Sequence, residues 1–225
     1  MYKRRKRRNQ LETKLMIQDQ LTAQEQKNIV AAGFLAYQTT DEIMCGEGSI
    51  LTLTQRGKNV RPLIVNAAMD FFLKDFCDAG DLPFSVEERT NSRNNSPYYL
   101  FIGKHIWFTV SRVRKNGDVP REAEFRDTFT MNNDQLSLFP WLEPEGKENG
   151  VYAILTHGGN RTLDFMQLGI PRAIGEKPCK YTWIKKLPLF DRKAIHLVMK
   201  KEPTIEAKKP KLKDFIKKRL EDSQQ

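Results

Sequence analysis

The hydrophobic period of this chain changes at Phe84, from that of a helix to that of a strand, and this order narrows the possible folds. Between 60 and 79, Val60, Leu63, Ile64, Ala67, Ala68, Phe71, Phe72 and Phe76 recur at helical spacing, which makes one side of a helix apolar. Asn59 can cap its start. Pro62 falls in the first turn, where no amide hydrogen bond is lost, and Gly80 ends it. The pattern predicts a central core helix.

From Phe84 onward apolar residues alternate, as they do along a half-buried strand. Phe84–Arg89 reads as one strand, followed by the polar loop Thr90–Ser96. Tyr98–Ile102 and His105–Val113 read as a hairpin about Gly103-Lys104. In its second strand Ile106, Phe108 and Val110 face one way, and Trp107, Thr109 and Ser111 the other. Val151–Thr156 and Thr162–Leu168 predict a second hairpin about His157-Gly158-Gly159-Asn160, and Tyr181–Ile184 a further strand.

Before the core helix, Thr22 and Glu25 have the spacing of a capping box, in which hydroxyl and carboxylate each accept from a free amide. A helix over 23–37 would place Ile29, Val30, Gly33, Phe34 and Tyr37 on one stripe. Residues 39–41 and 45–48 read as loop, and Ile50–Thr54 as a short strand. The acidic stretch 118–149 is irregular, with one short helix near Gln135–Phe139. Lys208–Leu220 has helical spacing, with Leu212, Phe215, Ile216 and Leu220 on one side. Helices first and strands later favour α+β over a doubly wound sheet. The expected organisation is a basic flexible arm over 1–10, a single α+β domain over 11–200 with a mainly antiparallel sheet, and a basic C-terminal helical extension over 201–225.

A chain of 225 residues, 39% of them hydrophobic, can bury a core without disulfides or metal. Cys45, Cys77 and Cys179 are odd in number and lack CxxC spacing. This points to free, buried thiols and a reducing compartment. No apolar stretch follows the basic N-terminus, and none approaches membrane-spanning length. The expected location is cytoplasmic, or nuclear in a eukaryotic or viral setting.

Charge is the feature that bears on function. The net charge is +10, and it lies at the ends. Residues 1–14 hold seven bases against Glu12, residues 200–225 nine bases against five acids, and the stretch between is neutral. The basic run Lys3, Arg4, Arg5, Lys6, Arg7, Arg8 is suited to phosphate backbones without sequence preference. Within the body, Arg89, Arg93, Lys104, Arg112, Arg114 and Lys115 form a stretch without an acid, and Lys185 and Lys186 belong to a second basic segment. If the two shared a face they would attract phosphate. Tyr98, Tyr99, Trp107 and His105 could stack on unpaired bases.

These observations predict a non-enzymatic protein binding nucleic acid, DNA or RNA, through its basic ends and a basic, aromatic hairpin. An acidic protein partner is a further expectation. One alternative is a metal-dependent nuclease using Glu87, Glu88, Glu122 or Glu124, and another a protein–protein module such as an inhibitor, adaptor or assembly subunit. His157, in a glycine-rich segment with Asn160 and Arg161 near, is expected to be the most exposed histidine. No nucleophile elbow, phosphate-binding glycine loop, cofactor motif or metal-ligand spacing is present, so no cofactor and no metal is expected.

Overall fold

The computed structural model describes residues 21–91, 95–121, 123–138, 150–173 and 181–192. All belong to the first of the two units into which the chain divides, the one that ends at Lys193. The terminal basic segments and the expected helix Lys208–Leu220 lie outside the described residues.

The first helix, α1 (Ala23–Cys45), starts at the predicted capping box: Thr22 Oγ1 accepts from the Glu25 amide at 3.2 Å, and the Glu25 carboxylate accepts from the Thr22 amide at 2.5 Å. It runs two turns beyond the expected end at Tyr37, through Thr39 and Thr40. The Thr40 hydroxyl donates to the Ala36 carbonyl at 2.7 Å, so a residue that reads as loop-forming is satisfied inside the helix. Ile29, Ala32, Gly33, Ala36, Tyr37, Thr40 and Met44 form its buried stripe.

The expected strand Ile50–Thr54 is a turn, with Ile50 and Leu53 72% and 76% exposed. It has no neighbour to complete a ladder. A single helical turn, α2 (Gln55–Lys58), follows, capped by Thr54. Asn59 closes α2 rather than capping the next helix. The core helix α3 (Arg61–Asp78) lies where predicted, with Val65, Ala68, Met69, Phe72 and Leu73 buried.

The sheet has six strands in sequential order: β1 (Ser85–Thr90), β2 (Pro97–Ile102), β3 (Ile106–Arg112), β4 (Val151–Gly159), β5 (Leu163–Ala173) and β6 (Tyr181–Asp191). All neighbours are antiparallel except β3 and β4, which pair in parallel over seven residues, from Ile106 opposite Val151 to Arg112 opposite His157. Parallel strands cannot be joined by a tight turn. The connection instead carries α4 (Glu124–Leu138), a 15-residue helix where only a short one was expected. The class is α+β, with a mainly antiparallel sheet.

Helices α1 and α3 cover one face, packing Ile29, Tyr37, Met69, Phe72 and Leu73 against Phe101, Phe108, Leu155, Met166 and Leu168. Phe108 stacks on Phe101 at 4.9 Å and meets Phe84 edge-on at 5.0 Å. The opposite face carries a smaller cluster of Leu100, Trp107, Tyr152 and Ile154, against which Phe129 of α4 and Trp183 of β6 pack.

Asn133 explains where α4 docks. Continuing the β4–β5 register past Ile154 and Gly169 would set Tyr152 opposite Pro171, which has no amide to give the ladder. The buried Asn133 side chain supplies the missing bonds. Its amide nitrogen donates to the carbonyls of Tyr152 at 2.9 Å and Pro171 at 3.2 Å, and its oxygen accepts from the Tyr152 amide at 2.8 Å. Pro188 in β6 sits on an edge strand, where a proline is tolerated. Asn133→Ala would leave three buried backbone groups unpaired. The expected loss is about 2–4 kcal/mol in a denaturant titration, whereas Met131→Ala, on the exposed side of α4, should be near neutral.

Candidate functional site

The parallel pairing brings the C-terminal ends of β3 and β4 together, and a polar cluster forms there. Arg112 and His157 are register partners on the face covered by α1, whose Tyr37 reaches them. Tyr37 Oη lies 3.2 Å from His157 Nδ1, with the rings edge to face at 5.8 Å. Arg112 Nη2 donates to the Gly159 carbonyl at 2.7 Å. From the start of α3, Arg61 donates to the carbonyls of Asn160 at 2.9 Å and Arg161 at 3.3 Å, and pairs with Asp41 of α1 at 3.0 Å. Two arginines thus hold the β4–β5 turn by its carbonyl oxygens.

His157 is fully buried, contrary to the expectation of an exposed imidazole in a turn. β4 continues through His157, Gly158 and Gly159, and the turn comes later, at 160–162. The glycines are needed for packing. A Cβ at Gly158 would meet the Phe165 ring at 2.3 Å and the Val113 carbonyl at 2.7 Å, and one at Gly159, with φ +152°, the Thr162 carbonyl at 2.0 Å. The sequence does hold the signal: Ala153, Leu155 and His157 share one period-two face, but the glycine pair outweighs it.

Burial, then the neighbouring Arg112 guanidinium, lowers the His157 pKa to about 3, and burial raises that of Tyr37 to about 12. Both groups are therefore neutral at physiological pH. A neutral imidazole that resists protonation is unsuited to acid–base work at pH 7. It is suited to fixing the end of β4 against α1.

The basic residues expected at the site are divided. Lys104 is exposed in the turn before β3, while Arg114 and Lys115 are exposed just after it, roughly 30 Å apart by strand rise. Arg89, on edge strand β1, forms a two-nitrogen bond to Glu87, with Nη2 at 2.7 Å. Arg112 is half-buried in the cluster above. Lys186 is exposed and Lys185 half-buried on β6, at the opposite sheet edge from Arg89. Arg93 and the run Lys3 to Arg8 lie outside the described residues.

One part of the two basic segments does meet. The turn after β3 reaches β6, where the Trp183 indole N–H donates to the Gly117 carbonyl at 3.0 Å, Asn116 donates to Asp191 at 3.0 Å, and the Lys186 ammonium lies beside Gly117. The Val113 amide donates to the His157 carbonyl at 2.9 Å, which holds that turn next to the 160–162 turn. The exposed cations Arg114, Lys115 and Arg161 are therefore gathered at one end of the sheet, and Lys186, which pairs with Gly169 further along β6, reaches its ammonium to Gly117. Arg161 had not been expected there, because its neighbourhood depends on the parallel pairing.

The aromatic side chains are occupied by the protein itself. Trp107 is 2% exposed, packed on Phe129 and Tyr152, with its N–H donating to the Gly150 carbonyl at 3.1 Å. Tyr98 stacks on Phe125 at 4.0 Å, and Tyr99 donates to Glu88 at 3.2 Å. Helix α4 occupies the face on which bases would have stacked. Glu87 and Glu88, consecutive on β1, point to opposite sides. Glu124 is on α4, and Glu122 is outside the described residues. Among the described residues no group of His, Cys, Asp and Glu could hold a metal ion, and no helix is long and apolar enough to cross a membrane. Of the cysteines, Cys45 is exposed rather than buried, Cys77 is half-buried, and Cys179 lies outside the described residues. No known family, curated protein or solved structure matches this chain.

A second titratable group, half-buried at the surface of α3, opposes His157. Asp70 on α3 has its pKa raised to about 7 by burial, near Tyr99 of β2. Its stabilising contribution is complete below about pH 4 and is lost as pH rises toward 7. His157 behaves in reverse: the folded form resists a proton that the unfolded chain takes up below about pH 6.5, so stability is lost as pH falls toward 3. Between about pH 4 and 6.5 the two contributions offset. Asp70→Asn should leave a stability that falls by up to about 1.4 kcal/mol per unit as pH drops across that window. His157→Gln should leave the opposite slope. Urea midpoints at four or five pH values would measure both.

Proposed function

We propose that this chain is a non-enzymatic, nucleic-acid-associated protein that contacts phosphate backbones through the basic end of its sheet and its basic termini. One observation carries the reading: the turn after β3 and the β4–β5 turn lie side by side and carry the exposed Arg114, Lys115 and Arg161, with Lys186 next to them. The acids at this end are engaged within the protein. Asp118 accepts from the Lys115 amide at 3.0 Å, Asp164 lies 3.7 Å from Arg192, and Asp191 accepts from Asn116. The rigid backing of Arg112, Arg61 and His157 fixes the spacing of the two turns, which favours contact with a regular row of phosphates. The terminal segments add seven and nine basic residues as non-specific attraction.

This reading gives no part to base stacking by Tyr98 or Trp107, whose rings are packed in the protein. It makes the contact one of phosphate backbone and shape. Binding of a labelled oligonucleotide, measured from 50 to 300 mM salt, should weaken steeply, since each phosphate contact adds about one to the slope of log K against log salt. Replacing Arg114, Lys115 and Arg161 together by Gln should reduce that slope by about 2–3, and removing residues 1–10 should reduce it further. An affinity indifferent to salt would sink the proposal. So would a triple variant with an unchanged slope, as far as the sheet end is concerned.

A further inference from the structure

Between α4 and the sheet lies a second polar cluster, separate from the histidine cluster and on the opposite face. Its floor is Thr109 of β3, Tyr152 and Thr156 of β4 and Gln167 of β5, which alternate with the residues facing α1 and α3. Its roof is the inward side of α4, with Arg126 and Thr130 one turn apart on the side that carries Asn133. Thr130 and Thr156 are fully buried, Thr109 is 1% and Gln167 4% exposed.

Part of the cluster is satisfied internally. The Thr109 and Tyr152 hydroxyls lie 2.6 Å apart, the Thr156 hydroxyl donates to the Gln167 carbonyl at 3.4 Å, and the Arg126 guanidinium lies near the Tyr152 hydroxyl. Three buried groups have no protein partner among the described residues: Arg126 Nε, Thr130 Oγ1 and Gln167 Nε2. Each can donate a hydrogen bond, and two of them can only donate. Arg126 otherwise donates to the Arg121 carbonyl at 2.7 Å and lies 4.9 Å from the Phe125 ring centre. Among the described residues no carboxylate pairs with it. The sheet positions on this face (Trp107, Thr109 and Ser111; Tyr152, Ile154 and Thr156; Gln167, Gly169 and Pro171) include no acid.

We infer that the layer between α4 and the sheet is a binding site for one small oxyanion, a phosphate or carboxylate group, held by Arg126 together with Thr130 and Gln167. An acceptor-rich anion fits three unpaired donors and provides the counter-charge the guanidinium lacks. A water molecule could accept from the donors but would leave the charge uncompensated. Thr130 and Gln167 are buried and Arg126 is half-buried, so the layer between helix and sheet suits a single group rather than a polymer. It is independent of the nucleic-acid reading, which rests on exposed residues at the end of the sheet.

The test uses the full chain, dialysed free of oxyanions and titrated with inorganic phosphate or with acetate at ionic strength held constant by sodium chloride. Thermal midpoint and tryptophan fluorescence are the readouts, since Trp107 packs against Phe129 and Tyr152 beside the site. The expected result is a saturable rise in midpoint of several degrees with at least one of the two anions, accompanied by a fluorescence change. Which anion acts identifies the phosphate or carboxylate source. Arg126→Gln should weaken the effect at least tenfold, and Arg56→Gln, on the exposed α2 turn, should leave it unchanged. Thr130→Val and Gln167→Leu, which preserve shape, should each weaken it severalfold and serve in its place if the arginine variant fails to fold. Absence of any saturable effect beyond chloride in the parent protein would overturn the inference, as would variants that all titrate like the parent.

Discussion

Seven residue pairs between β3 and β4 run in parallel, and most other features of the structure follow from that pairing. Because the two strands point the same way, the chain leaving Arg112 must cross the sheet before it can enter Val151, and the crossing deposits α4 on the face opposite α1 and α3. That gives the sheet a second covered face and turns Trp107, Tyr152 and Ile154 into core. It also brings the ends of β3 and β4 together, so that Arg112 meets His157 and the basic turn at 114–118 meets Arg161. An antiparallel pairing of these strands would have placed those turns at opposite ends of the sheet.

The polar groups drawn into the interior are mostly used as fasteners. Asn133 replaces the ladder bonds that Pro171 cannot make, and thereby locks α4 to β4 and β5. Arg112 and Arg61 spend their donors on carbonyl oxygens of residues 159–161, a segment whose glycines allow close approach. A guanidinium suits this task because its fork of donors can grip several oxygens without being deprotonated. The histidine cluster also keeps Arg112 Nε and His157 Nε2 without a protein partner among the described residues. The cluster around Arg126 leaves three such groups, and no carboxylate of the described residues pairs with its guanidinium, which is why we read it as a receptor rather than a fastener.

Local pattern made a good part of the fold legible. The capping box at Thr22 and Glu25, the helix at 61–78 and the strands at 85–90, 97–102 and 106–112 all follow from side-chain spacing, which is a local property. The misreadings have specific causes. Thr39 and Thr40 look like loop until the Thr40 hydroxyl finds the Ala36 carbonyl one turn back. Gly158 and Gly159 look like a turn until Phe165 and Val113 pack where a side chain of the first would have been, and the Thr162 carbonyl where that of the second would. Ile50–Thr54 alternates like a strand but has no neighbour with which to pair. The site was less legible than the fold, because cations on neighbouring turns are contributed by segments 47 residues apart, Arg114 and Arg161.

By itself the sequence determined the α+β class, the core helix, the strands between residues 85 and 112 and the concentration of positive charge at the two ends. Each depends on residues close together in the chain, where periodicity and charge can be read directly. Only the tertiary structure decided that β3 and β4 run parallel, that His157 is buried and neutral, that Trp107 and Tyr98 pack inside, and which cations share a surface. Those outcomes depend on which strand lies beside which, and on what covers each face. No local spacing encodes a choice made between segments dozens of residues apart. The charge that first marks this chain as a partner for polyanions is thus a property of composition, while the arrangement that could receive phosphate is a property of the fold.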